Sequence, residues 1–204
     1  MPDFATLFIF IPTFFFVSIT PGMCMSLSMT LGMTIGIKRT LWMMLGEVVG
    51  VALVAILSLV GVASIFLAYP NAFIAFKWVG GAYLLFIGIK LYFTPVHISL
   101  NKSATLLKRS QLLTQGFVTA IANPKGWAFM IALLPPFIDP NKSFGIQTSV
   151  FVSIIMLSEF ICMCIYASGG KSLSAFLNKS DQRQWVNRIG GALLAMVGIW
   201  LAIS

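Results

Sequence analysis

Lys125 stands inside an apolar run from Phe117 to Ile138, directly after Asn123-Pro124. An ammonium near the bilayer centre costs about 2.5 to 3.5 kcal/mol on insertion scales, so it calls for a partner or a water-filled cavity. The proline before it removes a helix hydrogen bond and clashes with the preceding turn, which predicts a broken helix at Pro124. Thr20-Pro21-Gly22 interrupts a second apolar run, Phe4 to Ile35, in the same way. Unwound backbone inside a bilayer persists only where protein or a cavity shields it from lipid, and a pair of such breaks points to a transporter's central site. A helix N-terminus opened at Pro124 would present free N–H groups and a positive dipole end, which together with Lys125 suit a carboxylate. Thr20, Asn123 and the carbonyls freed at Pro21 and Pro124 offer neutral hydrogen-bonding groups, unless they serve only to satisfy the broken backbone.

Two carboxyls share the apolar runs with this lysine. Glu47 lies five residues inside Trp42, about 7.5 Å in from the segment end, and Glu159 lies nearer the middle of its run. Either suits a coupling proton or a substrate amine; the alternative is a protonated, hydrogen-bonded or lysine-paired structural carboxyl. Cys24, Cys162 and Cys164 also lie in apolar runs, where small core residues are the default. Cys162 and Cys164 are two apart, hence about 200° around a helix, so a transmembrane thiol-disulfide electron carrier would need cysteines from different helices to meet. Met23, Met25, Met29, Met33, Met43 and Met44 crowd the first third. Soft sulfur keeps a metal-ion exporter among the alternatives, although packing is its ordinary role in apolar helices. His97 falls in a polar loop. No triad, phosphate loop, metal-ligand cluster or cofactor motif occurs, so neither an enzyme nor a resident cofactor is expected.

The elements that must position these residues are membrane spans. Of 204 residues, 59% are hydrophobic and 9% charged, and a mean hydropathy of +0.98 leaves too little polar surface for a globule in water. Six runs are long enough to span: about Phe4 to Ile35 (broken), Leu41 to Ala68, Phe73 to Phe93, Thr114 to Ile138 (broken), Gln147 to Ala167 and Val186 to Ile203. The first follows an acidic start, Met1-Pro2-Asp3, with no small-residue cleavage pattern, and reads as a span rather than a signal peptide. The net charge of +8 resides in dispersed cations, ten in or beside the odd connections and two by the even ones. That bias excludes a nucleic-acid face and places odd connections in the cytoplasm and both termini outside, on the periplasmic side.

The loop from 94 to 113 divides the chain into repeats of about 1–93 and 114–204. Gly80-Gly81-Ala82 with Gly88-Ile89 matches Gly190-Gly191-Ala192 with Gly198-Ile199, Pro21 matches Pro124, and Glu47 matches Glu159. Three spans per half give the second half the opposite entry side. The expected fold is therefore a single all-α transporter domain of six transmembrane helices, a 3+3 inverted-topology repeat suited to alternating access. Gly46 and Gly50, with the glycines of the repeat, are expected to let helices approach closely.

The motifs Thr20-Pro21-Gly22 and Asn123-Pro124-Lys125, with the six-run layout, resemble the LysE/RhtB family of bacterial amino-acid exporters over essentially the whole chain. Where that family usually has a second proline after Thr-Pro-Gly, Met23 stands here. The resemblance implies an inner-membrane exporter that expels an amino acid or similar small metabolite on the proton motive force. Its members handle basic, neutral and sulfur-containing amino acids, and metal-resistance proteins are distant relatives. Because Lys125 opposes the two glutamates, a neutral amino acid is favoured over a basic one. Thr20, Pro21, Gly22, Asn123, Pro124 and Lys125 are the expected substrate site, with Glu47 or Glu159 meeting the amine or carrying the proton. Protons and the lipid bilayer are the other expected partners, and a homodimer is compatible with the pattern.

Overall fold

The computed structural model describes residues 1–68, 78, 79, 82, 85, 86, 89, 90, 92, 93, 107–178, 188, 192, 195, 196 and 199. The glycine pairs of the repeat, the His97 loop and most of expected segments three and six lie outside the described residues. Every regular element is helical: α1 (Phe4–Ile19), α2 (Met23–Ile35), α3 (Ile37–Ala68), α4 (Arg109–Ile121), α5 (Pro124–Leu133), a 3₁₀ turn (Pro135–Phe137) and α6 (Phe144–Asn178). The all-α expectation holds among these residues.

Within α3, Ile37–Gly61 is apolar over 25 residues, and within α6, Phe144–Gly169 over 26. Each is long enough to cross about 30 Å of hydrocarbon. Two further stretches reach that length only as bent pairs: α1 with α2, at 58°, and α4 with α5 and its 3₁₀ turn, at 54°. The protein is a multi-pass membrane protein, with up to four crossings among the described residues.

Thr20 and Gly22 are extended between α1 and α2, with φ −63° and −157°. At the other bend Asn123 caps α5, its side-chain oxygen accepting the Lys125 backbone N–H at 3.1 Å. Pro124 occupies the first helical position, where its missing N–H has no helical partner to lose. Three helices run past their expected ends. Segment two begins at Ile37 rather than Leu41, segment four at Arg109 rather than Thr114, and segment five continues to Asn178 rather than Ala167. Hydropathy stops where side chains turn polar, but a helix goes on while its ends are satisfied; Gln111 accepts the Lys108 N–H at 2.7 Å.

Glycine fixes how closely the elements approach. A Cβ at Gly46 would collide with the Leu113 carbonyl on α4, and one at Gly116 with the Met43 carbonyl on α3. The two backbones therefore touch through reciprocal glycines, and Gly50 meets Ala120 and Phe117 in the same seam. One apolar cluster gathers Phe10, Phe14, Val54, Phe129, Phe137 and Phe151; a second, sulfur-rich one gathers Met25, Met29, Met43, Met44, Cys162 and Met163. Most of the crowded methionines are thus core residues.

Contacts between connections order the faces. Lys142 bonds Asp3 at the start of α1 and pairs with Asp139 at 3.3 Å, so the chain start and the α5–α6 connection share one face. Arg39 donates to the Leu107 carbonyl at 2.6 Å, and Arg109 lies 5.2 Å from the Trp42 ring centre, joining the α2–α3 turn to the start of α4.

Candidate functional site

A cavity of about 40 Å³ is walled by residues of each of α1 to α6, including Phe14, Val17, Met25, Val51, Phe129 and Met130. Its wall includes members of both apolar clusters, with polar and charged side chains set among them. Thr20, Gly22, Glu47, Asn123, Lys125 and Glu159, six of the eight expected site residues, line it. Pro21 lies between Thr20 and Gly22, and Pro124 precedes Lys125, so each proline positions wall residues through the backbone.

Lys125 reaches the first bend from the second. Its Nζ donates to the Val17 carbonyl at 3.1 Å and the Thr20 carbonyl at 3.2 Å, two acceptors left over where α1 ends. The ammonium also lies 5.6 Å from the Phe129 ring centre, and a cation at a helix C-terminus is favoured by the dipole. Lys125 thus holds backbone carbonyls in this conformation, where a substrate carboxylate was expected. Tyr166 of α6 completes the arrangement by donating to the Ile19 carbonyl at 2.8 Å. The Thr20 hydroxyl is occupied by its own helix, donating to Phe16 at 2.7 Å.

Asn123 ties the second bend to the first. Besides capping α5, it donates through Nδ2 to the Cys24 sulfur at 3.6 Å, in the first turn of α2. At the second bend the carbonyl of Ile121 accepts from Trp127 Nε1 at 2.8 Å. Both bends therefore have their backbone satisfied by side chains from beyond the break.

The glutamates differ. Glu159 accepts from Ser18 at 2.9 Å and feels the Lys125 charge. Glu47 is 0% exposed, and neither of its oxygens has a hydrogen-bond partner among the described residues. The Cys24 thiol lies beside it, but a thiol is a weak donor and does not satisfy either oxygen. Neither glutamate makes an ion pair in contact with Lys125 among the described residues.

Ser18, Cys24 and Tyr166 are site residues that sequence reasoning passed over in this role. Ser18 offered one signal, a hydroxyl three residues before Pro21 in an aromatic-rich run; Tyr166 offered none, because its partner is a main-chain carbonyl far away in sequence. Cys162 is buried and Cys164 lies 3.9 Å from the Met44 sulfur, both apart from the cavity wall. All three cysteines are free, and the described residues hold no group of three or more His, Cys, Asp or Glu placed for a metal ion.

Residues 15–204 match the family of LysE type translocators. The chain belongs to this family. Members of this family are translocators, and the chain is a translocator rather than an enzyme. A homoserine/homoserine lactone efflux protein of Salmonella typhimurium is 27% identical over 195 residues, covering 96% of this chain and 95% of its own. A leucine efflux protein of Klebsiella pneumoniae is 23% identical over 189 residues, covering 92% and 88%. An uncharacterized membrane protein of Vibrio cholerae is 25% identical over 187 residues, covering 92% and 91%. No solved structure matches the chain.

Proposed function

We propose that this translocator exports an amino acid or similar small amine-bearing metabolite, favouring a neutral one, across the bacterial inner membrane in exchange for protons. The observation that carries the reading is the meeting of Lys125, Glu47 and Glu159 with both bends at one cavity otherwise walled mostly by apolar side chains. Charged groups at membrane depth are expensive and mark a transport path. The relatives' names, efflux of homoserine and its lactone and of leucine, supply the direction and the size of cargo.

In this reading the chain is a six-span, 3+3 inverted repeat with helices broken at Pro21 and Pro124, its termini on the periplasmic side. The cavity has room for a few waters, so cargo enters as the halves part. Lys125 then leaves the Val17 and Thr20 carbonyls for the cargo carboxylate, assisted by the α5 N-terminus. Glu47 or Glu159 meets the amine or carries the proton. Because Lys125 also holds the end of α1, cargo binding loosens the first bend, which connects occupancy to movement.

The test is transport by purified protein in vesicles, with labelled L-homoserine, homoserine lactone, L-leucine and a wider amino-acid panel under an imposed pH gradient. One cargo should move in a gradient-dependent way, and Lys125→Ala at equal abundance should abolish the movement. Full transport by that variant, or no movement across the panel, would refute the assignment.

A further inference from the structure

A buried carboxyl with no donor stronger than a neighbouring thiol and no contacting cation is an unfinished site. A bare carboxylate there costs several kcal/mol, so the position calls for a proton or a cationic ligand. Glu47 is such a group: fully buried on the cavity wall, with both oxygens unpartnered among the described residues. It is also held in place. Gly116 of α4 packs directly on its backbone, where an added Cβ would stand 2.8 Å from the Glu47 nitrogen. Its α3 backbone cannot withdraw from the cavity without opening the glycine seam.

The other charged groups are already engaged. Glu159 is bound by Ser18, and Lys125 is bound to two carbonyls. Among the described residues, the titratable groups facing Glu47 are Cys24 on α2, Glu159 on α6 and Lys125 on α5; α1 and α4 contribute none to the cavity wall.

We infer that Glu47 is the one carboxyl at which a proton and the cargo's ammonium replace each other, while Glu159 remains part of the fixed frame. The inference rests on the exporter reading and names the site of its exchange. One carboxyl can be neutralised by a proton or by an ammonium but not by both at once. Arrival of the cargo's –NH₃⁺ at protonated Glu47 leaves a carboxylate–ammonium pair and sends the carboxyl proton to water. Loss of the cargo on the far side exposes a carboxylate that takes up a proton there. Coupling then follows from competition for a single position, with about one proton exchanged per cargo.

The measurement is proton release on cargo binding, in weakly buffered detergent solution, using L-homoserine or L-leucine, whichever moves in the vesicle assay. The wild-type protein should release about one proton per cargo bound. Glu159→Gln, which can still accept from Ser18, should bind more weakly and still release it. Glu47→Gln should release none, and Glu47→Asp should restore release with a displaced pH dependence. Binding by the wild type without release, release that survives Glu47→Gln, release lost in Glu159→Gln while binding persists, or an unmoved pH dependence in Glu47→Asp would each overturn the inference and leave the exporter reading standing. Failure of both cargoes to move in vesicles would instead remove the reading it rests on.

Discussion

At the residue scale, Lys125 satisfies the end of α1, and in the proposed export cycle the same ammonium is released to the cargo carboxylate as the cavity widens. Removing the ammonium leaves the Val17 and Thr20 carbonyls without their donor, so Lys125→Ala should also lower stability, by about 1 to 3 kcal/mol. Transport by this variant has to be read at matched abundance for that reason. Tyr166→Phe removes one neutral hydrogen bond to Ile19 and should cost about 1 kcal/mol in thermal unfolding. Gly22→Ala separates stability from function. Its Cβ would stand 3.7 Å from the Lys125 Cδ and Nζ, an ordinary contact on extended backbone. Melting should shift by less than about 0.5 kcal/mol, whereas export should slow because the added methyl crowds the path of the ammonium; unchanged export would argue that Lys125 does not move.

At the element scale, glycine decides whether the site can assemble. The α3–α4 seam has backbone against backbone at Gly46 and Gly116, so Gly116→Leu should separate the helices and displace Glu47. The expected result is loss of monodisperse protein in size-exclusion chromatography, with no rescue by cargo. Gly36 is a different case. It forms the whole turn between α2 and α3 at φ +77° with open space around it. Gly36→Ala should therefore cost roughly 1 kcal/mol or more through backbone strain alone, read as a lower melting temperature with transport retained.

At the scale of the whole molecule, the Asp3–Lys142–Asp139 cluster ties the chain start to the α5–α6 connection, at the face proposed to be periplasmic. The Asn141 backbone N–H and then Lys142 hold the Asp139 carboxyl below the usual carboxylate range, and Asp3 followed by Asp139 holds the Lys142 ammonium above its usual value. A lowered carboxylate favours the folded contact above its ordinary pKa and loses it as pH falls through the lowered value. A raised ammonium favours the contact below its ordinary pKa and loses it as pH rises through the raised one. The clasp is therefore intact between about pH 4 and 10. Lys142→Ala should change the rate of export without moving its pH profile, which Glu47→Asp should move. The same geometry sets the orientation test: in intact cells, a membrane-impermeant maleimide should label Asp3→Cys and Lys142→Cys and spare Arg39→Cys. The opposite pattern would invert the proposed topology.

The membrane class was legible in the sequence because hydropathy acts locally, and six cavity-wall residues stood out because a charge, a polar group or a Pro-Gly pair in an apolar run is conspicuous wherever it lies; the helix pairs bend by 58° and 54° in the stretches that hold Pro21 and Pro124. Segment ends were less legible, since Arg109, Ser110 and Gln111 read as loop by polarity yet continue a helix, where Gln111 accepts the Lys108 N–H. Tertiary structure alone decided what Lys125 holds, that Ser18 occupies Glu159, and that the Glu47 oxygens find no hydrogen-bond partner among the described residues. Those outcomes depend on which carbonyls and hydroxyls are left over when distant helices meet, and every residue presents the same main-chain acceptor to a reader of the sequence.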